Sequence, residues 1–482
     1  MGDAPVAEQI FSGVPGLDIV LQGGFLRGGL YLLAGAPGTG KTILGNQLAF
    51  SQVAGGGKVV YVTLLVEAHH RMLVHLQSFR FFDPIMLTDR IYYVSGYHAL
   101  EQEGFRGLLQ LLRKTVHDYQ ATILVIDGLE TAQAYADSEL AFKRLLHELH
   151  IAMESNDCTT FLLSNDDRLH PAHAIVDGLI LMTDTLIGPR AVREIEIRKF
   201  RGRAHLRGRH LAEIGDEGYI VHPRTEALHS RPRQDAAMPR VPVNFGVPSM
   251  DKMLNGSFLS ESITILLGAP GAGKTLLGLS FLTEGARQGE QGLYFGFYET
   301  EIRLKEKADR LGLDFRQHIE DGKIDVCWQS APEDTLDELA QRLLEAVRQH
   351  SVRRLFIDGY DGLQRAAIYP ERMGRFFNAL TNELRSQNVT TLLSVPIEQM
   401  FGPVETPKGH LLELVDNMIL LRYVELQSQL YRYVSILKGR EGLYDRSIRE
   451  FTITEQGIDV SQTFERGFSS PPLERHPDVE DA

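Results

Sequence analysis

Cysteine is scarce: the 482 residues contain two, Cys158 and Cys327. Two thiols cannot build a disulfide framework or complete a thiolate metal site, and such scarcity suits a reducing compartment, so a cytoplasmic location is expected. Trp328 is the only tryptophan; it and the tyrosines are expected in the core or at an interface. Long apolar runs are missing as well. Segments 30–34 and 263–267 are far too short to span a bilayer and run straight into glycines, so no membrane role is expected. The N-terminus lacks the basic stretch and apolar run of a signal peptide. Basic charge is in deficit, with 50 Lys and Arg against 63 Asp and Glu and a net charge of -13. That balance argues against a nucleic-acid partner, because sequence-independent binding needs surplus cations to release counterions. His69, His70 and the other histidines share no metal-ligand spacing with cysteines, and surface or helix-face positions are expected for them.

What is present is a unit written twice. Gly13-Val14-Pro15-Gly16-Leu17-Asp18 recurs as Gly246-Val247-Pro248-Ser249-Met250-Asp251, an offset of 246 − 13 = 233. Gly35-Ala36-Pro37-Gly38-Thr39-Gly40-Lys41-Thr42 recurs as Gly268-Ala269-Pro270-Gly271-Ala272-Gly273-Lys274-Thr275, again 268 − 35 = 233. A period of that size is a duplicated domain, and the chain is long enough for two hydrophobic cores. Four prolines between His222 and Asn244 predict an extended linker. The predicted organisation is domain 1 over 1–222, linker 223–242, domain 2 over 243–461, and a Pro- and Glu-rich tail over 462–482 without fixed structure. Within each half, β-branched runs alternate with amphipathic stretches: 59–63, then 71–82, then 122–126, then 140–153. Such alternation predicts an α/β class, a mainly parallel sheet flanked by helices.

Each GxxxxGKT follows an apolar strand and opens a helical segment, which is the context a phosphate-binding loop requires. Its glycines let several N–H groups converge on one point, and the helix N-terminus adds partial positive charge. Lys41 and Lys274 are expected to reach the β- and γ-phosphates, and Thr42 and Thr275 to place a hydroxyl on Mg²⁺. Asp127 and Asp358 end later apolar strands at similar distances from those lysines (127 − 41 = 86; 358 − 274 = 84) and are the expected metal-side carboxylates. Hydrolysis also needs an acid that positions water near the γ-phosphate. Glu299 is the candidate in domain 2; Glu67 is the one acid available in domain 1, and it falls one position late.

With these residues in place, the chain resembles the double-domain KaiC family of ATPases within the RecA/RadA superfamily, over about residues 10 to 464. The GxPxxD segments, both phosphate loops, the aspartate-ending strands and the late motifs Lys199-Phe200-Arg201-Gly202 and Lys438-Gly439-Arg440-Glu441 carry the resemblance. It implies two tandem RecA-like domains, ATP with Mg²⁺, and a hexameric ring with ATP between subunits. It also implies that Lys199 and Arg201, and Lys438 and Arg440, reach the neighbouring subunit's ATP. Departures bear on function. The family's clock members carry a Ser-Thr autophosphorylation pair where this chain has Leu412 and Glu413. Their paired glutamates correspond to Leu65 and Val66 in domain 1, and to Tyr298 and Glu299 in domain 2.

Four functions follow as expectations. The first is a ring-forming regulatory ATPase that hydrolyses ATP mainly in domain 2, holds it in domain 1, and is read by an unidentified protein partner. The second is a serine/threonine autokinase, for which Thr406 is the nearest upstream hydroxyl. The third is a DNA-dependent recombinase or helicase, disfavoured by acidity. The fourth is a nucleotide-gated scaffold with negligible catalysis.

Overall fold

A computed structural model describes residues 8–65, 69–165, 172–229, 240–255, 258–329, 334–397, 411–440 and 443–461. The chain divides into two compact units, Met1–Leu228 and His229–Ala482. Glu67, Thr406, Glu441 and the tail 462–482 lie outside the described residues.

In the first unit nine strands form one sheet. In spatial order they are Gly218–His222, Arg209–Gly215, Arg190–Phe200, Gly178–Ile187, Leu30–Ala34, Thr159–Ser164, Ile123–Asp127, Val59–Thr63 and Ile91–Ser95. The six from Gly178–Ile187 to Ile91–Ser95 are parallel, and the other three complete an antiparallel meander. Both faces are covered, as a parallel sheet requires. Side chains alternate across the pleat: Leu30, Leu32 and Ala34 enter one core, while Tyr31 and Leu33 enter the other. The second unit repeats this plan with nine strands, the central one being Ile263–Gly268 between Thr390–Pro396 and Asn417–Leu426. Its core is likewise divided between the two faces, with Ile263, Ile265 and Leu267 on one and Leu266 on the other.

The GxPxxD segments serve the fold. Asp18 accepts a hydrogen bond from the Ser12 N–H at 2.8 Å, and Asp251 accepts one from the Phe245 N–H at 2.7 Å. Burial pushes the Asp251 carboxyl up to about 6.

Two local expectations need correction, and a third is narrowed. The stretch expected to be helical over 71–82 is a helix only across His69–Leu76. Beyond it Phe81 and Phe82 turn inward and pack on Phe50, with ring centroids 5.7 and 5.3 Å away, so aromatic burial ends the helix early. The segment 223–242 contains a helical turn, Thr225–Leu228, where an extended linker was expected. Of the two places expected for Trp328, core or interface, its 48% exposure at the end of the edge strand Ile324–Trp328 excludes the core.

Candidate nucleotide sites

Both phosphate loops occupy the same place: the carboxyl end of the central strand, where open α/β sheets present their binding crevice. Helices Lys41–Ala54 and Lys274–Arg287 start directly at the loop lysines. The glycines before them, Gly40 and Gly273, have φ of 95° and 109°, a left-handed conformation that a side chain would strain. Space beside Gly38 is open to 4 Å, so bare backbone forms that wall of the loop. Lys41 Nζ donates to the Gly35 and Ala36 carbonyls at 2.7 and 2.9 Å; Lys274 Nζ donates to Gly268 and Ala269 at 2.6 and 3.0 Å. Burial lowers the pKa of both ammonium groups. A cation partly stripped of water and held by neutral carbonyls has most to gain from an anion, so the loops fit a phosphate chain.

The metal-side pair has the same geometry in both units. Thr42 Oγ1 donates to Asp127 at 3.0 Å, and Thr275 Oγ1 donates to Asp358 at 2.9 Å. A hydroxyl and a carboxylate meeting beside a phosphate loop are hard oxygen donors suited to Mg²⁺. A third partner was missed in the sequence. The Tyr61 and Tyr294 hydroxyls each donate to the same aspartate at 3.0 Å. Their common offset, 294 − 61 = 233, was the available signal. Asp127 is buried, and desolvation raises its pKa above the ordinary 3.8, although the hydrogen bonds from Thr42 and Tyr61 oppose that.

The units then diverge. In strand register Asp358 faces Ser394, whose hydroxyl donates to it at 2.7 Å; Asp127 faces Leu163. Thr63 and Gly296 stand opposite those aspartates on the neighbouring strands. Counting three residues on in sequence from each reaches Val66, which lies outside the described residues, and Glu299. Glu299 lines a cleft of about 580 Å³ with Gly271, Gly273, Lys274 and Thr275. That volume is in the range of nucleotide-sized ligand pockets. A larger groove of about 1080 Å³, between helices Tyr97–Tyr119 and Glu139–Glu154, contains none of the loop residues. His69, expected on a surface or helix face, opens the helix His69–Leu76, and its Nε2 stands 2.8 Å from Thr63 Oγ1 at the strand end beside Asp127.

The late basic pairs stand at the opposite rim of the sheet. Lys199 Nζ donates to the His173 and Ala174 carbonyls at 2.9 and 3.2 Å, and Lys438 Nζ to Leu412 and Val415 at 2.8 and 2.7 Å. Arg201 pairs with Asp177 at 3.4 Å, and Arg440 with Asp416 at 3.2 Å. Those two aspartates accept the N–H of Leu30 and of Ile263, the first residues of the central strands. The phosphate loops follow the last residues of those strands, so Arg201 and Arg440 are a strand length away from their own domain's loop.

Against known proteins, the chain matches the KaiC ATPase family over residues 10–226 and again over 243–465. The chain belongs to that family. Similar proteins include the "Circadian clock oscillator protein KaiC" of Picosynechococcus sp., 26% identical over 95% of this chain and 90% of the relative. Others are the "Circadian clock protein KaiC3" of Synechocystis sp., 24% identical over 95% and 92%, and the KaiC of Parasynechococcus marenigrum, 25% identical over 95% and 91%. The two sheets are therefore the tandem RecA-like domains of this family. Among the described residues no helix is long and apolar enough to cross a membrane.

Proposed function

We propose that this KaiC-family chain binds Mg-ATP at both loops and hydrolyses it mainly in domain 2, as a ring-forming ATPase whose nucleotide state is read by a protein partner. The observation that carries the reading is Glu299, an acid in the same cleft as Lys274 and Thr275, with valine at the matching place in domain 1. Backbone N–H groups of Gly35–Thr42 and Gly268–Thr275 receive the phosphates, and Lys41 and Lys274 exchange loop carbonyls for phosphate oxygens. Thr42 with Asp127, and Thr275 with Asp358, hold Mg²⁺, which when bound supplies positive charge to the terminal phosphates. Glu299 orients the attacking water and takes its proton. Domain 1 lacks that acid at the matching position and acts as a holding site that keeps nucleotide bound. Lys199, Arg201, Lys438 and Arg440 are too far from their own loops and act on a neighbouring subunit's nucleotide in a hexameric ring.

Transfer of phosphate to protein is the competing chemistry, since relatives carry clock names. Leu412 and Glu413 provide no hydroxyl acceptor. Incubation with γ-labelled ATP distinguishes the two. The expected result is label in free phosphate, with Glu299→Gln lowering turnover on the order of 100-fold while ATP binding persists. Label retained on the protein supports the kinase reading; unchanged turnover in Glu299→Gln removes that residue from the mechanism.

A further inference from the structure

Glu299 has an unusual environment for a surface-loop acid. It follows the strand Gly292–Gly296, just before the helix Glu301–Asp309. Its Oε1 accepts a hydrogen bond from Lys307 Nζ at 2.5 Å. Its Oε2 is buried and has no hydrogen-bond partner among the described residues. Lys307 lies in the second turn of that helix. Helical side chains lean toward the helix N-terminus, which brings its ammonium back over the loop that carries Glu299. Both side chains line the cleft that contains Lys274 and Thr275. A buried oxygen without a partner is rare in folded proteins and concentrates where a ligand or water completes it.

We infer that Lys307 is a positioning residue for the domain 2 reaction. It fixes one oxygen of Glu299 and so presents the other, Oε2, to the attacking water. The inference rests on the hydrolytic role proposed above for Glu299. A carboxylate hinged on a flexible side chain samples several rotamers; tying Oε1 to a cation leaves one oxygen in one place. Among the described residues Lys307 bonds to Glu299 and not to the loop lysine or the metal-side pair, so its effect passes through Glu299.

The test uses the full chain. Lys307→Met is expected to lower the Glu299-dependent kcat between about 10- and 100-fold, the usual cost of a misplaced catalytic group, with KM for ATP little changed. Lys307→Arg keeps the charge and recovers most of the rate. Adding Lys307→Met to Glu299→Gln causes no further loss, since the two act as a unit. Wild-type turnover in Lys307→Met would overturn the inference, and so would a loss confined to ATP binding. Glu299→Gln measured alongside separates the two claims. If that variant is inactive while Lys307→Met is unaffected, Lys307 alone loses its role. If it retains full turnover, the underlying role of Glu299 fails instead.

Discussion

At the scale of single residues, the two domains differ most around one carboxylate. Asp358 receives hydroxyl hydrogen bonds from Thr275, Tyr294 and Ser394, whereas Asp127 receives them from Thr42 and Tyr61 and faces Leu163 in register. Burial raises the Asp127 pKa from 3.8, against the two hydroxyl hydrogen bonds that favour its charge. The sign of the linkage follows. Between the ordinary and the raised value, folded domain 1 holds a proton that the unfolded chain has released. Its contribution to stability is therefore present at low pH and is lost as pH rises through the folded pKa. Once ionised, Asp127 destabilises the nucleotide-free domain, and a bound cation would relieve that cost. Asp127→Asn is expected to raise the unfolding temperature of the nucleotide-free protein and to flatten its pH dependence, while weakening Mg²⁺-dependent ATP binding at domain 1. A thermal unfolding series across pH, run with and without Mg-ATP, checks it. Destabilisation of the nucleotide-free protein by Asp127→Asn would contradict this account.

At the scale of elements, much of the site could be read from the sequence because it follows chain-local rules. A loop that leaves an apolar strand and opens a helix is fixed by its own glycines, and both phosphate loops stand at the strand ends where the motif put them. An aspartate closing an apolar run is equally local, and strands Ile123–Asp127 and Arg354–Asp358 carry theirs at the final position. Contacts between strands were harder to read. Tyr61 reads as one more residue of its strand; it pairs with Val125 across the sheet, and only its side chain reaches Asp127, two residues further along that neighbouring strand. Ser394 gave no signal at all, because its role depends on register with Asp358 and not on its neighbours in sequence. The early end of the helix at Leu76 has a tertiary cause, since Phe81 and Phe82 are drawn onto Phe50 in the core. Lys307 belongs to the same class: eight residues separate it from Glu299, and the fold of the helix onto its own entry loop makes the pair.

At the scale of the whole molecule, the basic pairs decide how the sites would be completed. Arg440 stands at the start of the strand whose far end leads to the phosphate loop, so a role in hydrolysis requires a second copy of the chain. A trans role predicts complementation. Arg440→Ala chains and Glu299→Gln chains are each expected to be inactive alone. Mixed and reassembled in equal amounts, they should regain about a quarter of wild-type turnover, the share of interfaces that combine an intact Glu299 with a neighbour's intact Arg440. No recovery on mixing would confine Arg440 to its ion pair with Asp416. The net charge of -13 bears on partners at this scale too, since it opposes electrostatic capture of nucleic acid.

Nucleotide content per chain tests the duplicated site most directly. After incubation with Mg-ATP and removal of free nucleotide, extraction should recover about two nucleotides per wild-type chain and about one from Lys41→Ala or Lys274→Ala, as expected if each loop lysine serves its own site. Recovery of no nucleotide from the wild type, or of equal amounts from all three proteins, would contradict the account.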